Sequence, residues 1–127
     1  MTEQWIKWEP LPGLARLYDI DKVSYTLEGL SILLSEFHEN NAVKVRVTFT
    51  EIEAHRSTYE TFRIKNSKFH ENGTFFKIEN SEYVTWLSEQ GYSNDNSSLL
   101  IHVAIATEDT VLDIIATQEP TVQFVHE

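Results

Sequence analysis

Five histidines and twenty carboxylates are the side chains through which this 127-residue chain could do acid–base or metal chemistry. Two ligands on one strand or helix face stand at i, i+2 or i, i+4, and none of His38, His55, His70, His102 and His126 has another histidine at those spacings. Cysteine is absent, which removes thiolate nucleophiles, disulfides and Cys-based zinc sites. No metal and no cofactor is therefore expected. His55 is the best acid–base candidate, because Glu51, Glu53 and Glu60 are close in sequence and a carboxylate beside an imidazole supports proton transfer. Its bland counterpart is an exposed, charged strand end. His102, between Ile101 and Val103, reads as a buried histidine bonded to a neighbour. Glu53, His55 and His102 are the candidate lining of a ligand pocket.

Motifs for nucleophilic or phosphate chemistry are missing. There is no Gly-x-Ser-x-Gly elbow, Walker loop, Gly-x-Gly-x-x-Gly or His-Glu-x-x-His, and the chain has only four glycines, at 13, 29, 73 and 91. No catalytic residue is assigned on this basis.

Charge is the strongest asymmetry. From Ile78 onward fifty residues carry nine acids and no Lys or Arg, while eleven acids and all ten basic residues share the first seventy-seven. The net charge of −10 thus falls almost wholly on the C-terminal part. Nucleic acid and anionic membranes are disfavoured as partners, since both need cationic groups. A basic protein suits the surplus. Glu89, Asp95, Glu108, Asp109 and Asp113 are the candidate partner-binding residues, with Glu79 and Glu82 explained by the positive end of a helix.

These residues must be held mainly by strands. Val43, Val45, Val47 and Phe49 alternate with Lys44, Arg46, Thr48 and Thr50, the period of a half-buried strand. Val23, Tyr25 and Leu27 alternate in the same way, as do Leu30, Ile32 and Leu34 beyond a turn or bulge at Glu28-Gly29. Tyr59 to Ile64 is a further strand, and Asn72-Gly73 suits a type I′ turn leading into Thr74 to Ile78. Leu99 to Thr107 and Val111 to Ala116 flank a hairpin turn at Glu108-Asp109-Thr110. The first of the pair is apolar on both faces apart from His102 and should lie centrally. Val122 to Val125 completes the set as an edge strand.

One short helix is expected over about residues 81–90, with Asn80 or Ser81 as its cap, Gly91 as its stop and Tyr83, Val84 and Leu87 as its apolar stripe. Trp5 and Trp8 should cover one end of a barrel, exposed anchors at an interface being the alternative. The fold class is mainly β: a single-domain antiparallel β-sandwich or barrel over residues 1–127, with one short α-helix. No signal peptide or spanning segment is visible, and a cytoplasmic location is expected.

Phe76 to Leu87 (Phe-Lys-Ile-Glu-Asn-Ser-Glu-Tyr-Val-Thr-Trp-Leu), His102 to Asp109 and Leu112 to Ala116 with Glu119-Pro120 resemble segments of small acidic bacterial proteins of unknown function. Some of those are suspected toxin-immunity proteins. The resemblance covers roughly the last fifty residues, implies a protein-binding role and carries no catalytic residues. The leading expectation is an acidic protein-binding domain, such as an immunity protein that caps a basic toxin. A small-molecule-binding β-barrel, which could be an enzyme, is the alternative.

Overall fold

The computed structural model describes residues 2–14, 17–36, 43–59, 73–90, 100–107 and 109–125. The elements run β1 (Gln4–Lys7), β2 (Tyr18–Thr26), β3 (Gly29–Glu36), β4 (Lys44–Phe49), β5 (Ile52–Tyr59), β6 (Phe75–Glu79), α1 (Glu82–Glu89), β7 (Ile101–Ala106), β8 (Thr110–Ala116) and β9 (Thr121–Val125). Strands β1-β6-β7-β8-β5 form one antiparallel sheet and β2-β3-β4-β9 another. The described strands make two open sheets, a sandwich rather than a barrel. No described helix is long and apolar enough to cross a membrane.

The core follows from alternation. Leu30, Ile32 and Leu34 of β3 and Val45, Val47 and Phe49 of β4 point at the larger sheet and are buried. They meet Val103 and Ile105 of β7 with Leu112, Ile114 and Ala116 of β8. Strand β2 crosses the larger sheet rather than following it. Tyr18 at its start packs on Phe75 of β6, and Tyr25 near its end lies 5.4 Å from the His55 ring on β5. Those two strands are separated by β7 and β8, so the sheets pack at a steep angle.

The β2–β3 hairpin turns at Leu27-Glu28, with Thr26 paired to Gly29, one residue earlier than the composition predicts. Gly29 has φ +130°, and a Cβ there would stand 2.0 Å from the Phe49 carbonyl oxygen. A bulge between Ile20 and Lys22 shifts the register of β2. Val23 and Tyr25 then share a face with Ile32 and Leu30 but lie on the outer strand, and Leu27 in the turn is fully exposed. The expected burial of that triplet is not realised.

The larger sheet is covered on both faces, because β7 and β8 are apolar on both. Phe76, Ile78, Ala104, Ala106 and Val111 form a second cluster on the face away from β3 and β4. Trp5 of β1 packs edge-on to Phe76 there, while Trp8 packs edge-on to Phe75 on the other face. The two tryptophans thus cover opposite faces, not one end. Helix α1 lies on the Phe76 side and buries Tyr83. The expected strand over Tyr59 to Ile64 begins where β5 ends; its remainder lies outside the described residues, as do Gly91, Asn72, His38, His70 and His126.

Candidate functional site

Each strand of the β7–β8 hairpin carries one side chain that does not belong in an apolar strand: His102 and Asp113. The hairpin is closed by Thr107, whose N–H donates to the Thr110 carbonyl at 2.8 Å and whose Oγ1 accepts from the Thr110 N–H at 3.2 Å. The resulting register sets His102 opposite Ile115 and Ala104 opposite Asp113. His102 and Asp113 therefore share the face under α1 and stand diagonally across the strand pair. His102 Nε2 and Asp113 Oδ1 are 2.7 Å apart, and His102 Nδ1 and Ser81 Oγ are also 2.7 Å apart.

The rest of the network is local. Ser81 is the N-cap of α1, in extended conformation, and its Oγ accepts from the Val84 N–H at 3.0 Å. Arg56, opposite Asp113 in the β5–β8 register, donates from Nε to Asp113 Oδ2 at 3.1 Å. Its guanidinium lies 4.1 Å from the centre of the Tyr83 ring, which in turn meets the His102 ring edge-on at 6.0 Å. Burial raises the Tyr83 phenol above its ordinary value; Arg56 opposes the shift and the Asp113 carboxylate adds to it.

Asp113 is completely buried and His102 is 3% exposed, so each polar atom must find a partner. Among the described residues no buried side-chain nitrogen or oxygen lacks one. One arrangement of the hydrogens serves every one of these contacts. A carboxylate can only accept, so Nε2 carries the ring proton; Nδ1 then accepts the Ser81 hydroxyl, whose oxygen accepts the Val84 amide. This is the connectivity of an acyl-transfer relay, serine to imidazole to carboxylate. The same network fastens α1 to the sheet. Each neutral link contributes about 1 kcal/mol and each charged one about 2 kcal/mol.

Asp113 is the correction to the sequence reading. Expected among the partner-binding acids, it lies instead beneath the helix, fully buried and bonded to His102 and Arg56, so it offers nothing to a partner. Asp109 is exposed in the hairpin turn and Glu89 is exposed at the end of α1. Asp95 and Glu108 lie outside the described residues. Nor do Glu53, His55 and His102 converge. Glu53 and His55 are exposed on β5, and His55 pairs with Ile114, a residue of the inter-sheet core, so it takes the face opposite to His102. A cleft of about 490 Å³ lies elsewhere, lined by Lys7, Trp8, Glu9, Leu14, Thr74 and Phe75. No group of three or more His, Asp or Glu among the described residues could hold a metal ion.

Ser81 was legible only as a cap and Tyr83 only as part of the helix's apolar stripe, while Arg56 carried no signal of its own. One signal was present: a single His and a single Asp, each alone in an otherwise apolar strand of one hairpin. Comparison with known proteins adds nothing to this geometry, as no family model, curated protein or solved structure matches the chain.

Proposed function

We propose that the protein is an acidic protein-binding domain, acting in the cytoplasm, whose partner is a basic protein, in the manner of an immunity protein that caps a toxin. The observation that carries this reading is Trp86. It is 52% exposed on α1, one turn from the buried Tyr83 that seats the helix. Glu82, Trp86 and Glu89 stand at i, i+4 and i+7 and share the outward stripe of α1, which has no basic residue in its last turn. An exposed indole between two carboxylates has the make-up of an interface anchor with an acidic rim. The indole supplies affinity by desolvation and the carboxylates speed encounter with Lys or Arg of the partner. Asp109 belongs to the same acidic surplus, as do Asp95 and Glu108 in the sequence.

The test is affinity capture from the cell that makes the protein, followed by kinetics with the purified basic partner. The on-rate should fall steeply as salt rises, and Trp86→Ala should weaken binding about tenfold or more. An on-rate indifferent to ionic strength, together with a silent Trp86→Ala, rejects the reading.

A further inference from the structure

The start of α1 is covered by the segment just before β1. Glu3 Oε1 accepts from the Glu82 N–H at 2.9 Å, and Asn80 Nδ2 reaches the Thr2 carbonyl at 3.4 Å. Asn80 has φ +55°, so the chain turns sharply between β6 and α1, and Ser81 sits at that strand-to-helix junction. In serine hydrolases with a nucleophile at such a junction, the backbone N–H of the following residue holds the oxyanion. Here that donor is Glu82 N–H, and a carboxylate of the same chain already occupies it.

We propose that Ser81 is a latent nucleophile for small carboxylic esters, with His102 as its base and the Glu3 carboxylate standing where the oxyanion of the ester would bind. Asp113 is a positioning residue: it accepts the hydrogen bond from Nε2–H, which keeps the ring proton there and leaves the Nδ1 lone pair facing the hydroxyl. Either ring nitrogen can act as base provided the other is held in this way. The Val84 N–H and the positive end of α1 favour negative charge at Oγ as the proton leaves. Ser81 is 8% exposed, so the ester enters only when Thr2 and Glu3 lift away. This restricts the acyl group to a small one.

The steps balance. Ser81 Oγ bonds to the ester carbonyl carbon while its proton passes to His102 Nδ1, and the carbonyl oxygen, now negative, takes the place of Glu3 on Glu82 N–H. The bond from carbon to the alcohol oxygen breaks, and the alcohol leaves with the Nδ1 proton. Water then adds to the acyl-serine, giving a proton to Nδ1. The acyl–Oγ bond breaks, the acid leaves and Oγ regains the proton. Ester and water become acid and alcohol.

The full chain treated with an alkyl fluorophosphonate, then mapped by mass spectrometry, tests this independently of any partner at Trp86. A single adduct on Ser81 is expected, formed at least tenfold faster in Glu3→Ala and lost in His102→Gln. Asp113→Asn should slow labelling while the Val84 amide keeps its protection from hydrogen exchange, which reports an intact cap. Absence of an adduct on Ser81 in Glu3→Ala overturns the proposal, as does labelling undiminished in folded His102→Gln. The comparison of the natural chain with Glu3→Ala decides alone if the buried variants do not fold.

Discussion

Arg56 on β5 and Asp113 on β8 face each other in register, and the Nε of the first donates to Oδ2 of the second at 3.1 Å. A fully buried carboxylate is thus countered by a partly exposed cation from the next strand. The arrangement makes removal of one member costly. Asp113→Ala should destabilise by about 3 kcal/mol in urea titration, because His102 Nε2–H loses its acceptor and Arg56 its counter-charge. The double variant His102→Leu with Asp113→Leu should lose clearly less than the sum of the two single changes, since both buried polar groups vanish together. Simple additivity would show that the pair does not act as a unit.

Tyr83 gives a pH signature on the alkaline side. Its phenol is raised in the folded state, so the unfolded chain, with the ordinary value of 10.0, gives up the proton first. The folded state then binds more protons, and stability falls as pH increases. The contribution is complete below 10.0 and is lost as pH climbs from there through the folded value. Melting temperature followed upward from pH 9 should drop less steeply in Tyr83→Phe than in the natural chain. Parallel curves would remove Tyr83 as a source of the alkaline loss.

Two glycines should separate strain from crowding. Gly29→Ala forces a methyl to 2.0 Å from a backbone carbonyl at φ +130°, and neither β3 nor β4 can yield cheaply. A loss of about 3 kcal/mol or failure to fold is expected. Gly13→Ala, at φ +82° with nothing within 4 Å, should cost about 1 kcal/mol. Equal losses in urea would contradict this assignment.

How far these features were readable depended on what set them. The alternation of β3 and β4, the central position of β7 and the span of α1 were legible because each follows from local periodicity and capping. The face of Asp113 was not. Its neighbourhood to a turn of Glu, Asp and Thr suggested solvent, whereas the register of the hairpin and the helix packed above it put it inside. Ser81 shows the same limit: its role as a cap is local, but its bond to His102 crosses from helix to sheet. Burial of Val23 and Tyr25 failed for a different reason, because the bulge at Ile20/Lys22 and the outer position of β2 are tertiary properties.

The strand order also governs how the chain can fold. Trp5 of β1 waits for Ile78, Ile52 of β5 for Ala116, and Val45 of β4 for Phe124. Such high contact order predicts folding in milliseconds to seconds rather than microseconds. On the ribosome β4 presents an open edge until β9 emerges, with Val45, Val47 and Phe49 lining its apolar side. A nascent chain stalled before Thr121 would therefore carry a sticky, half-finished sheet and be a natural client for a chaperone.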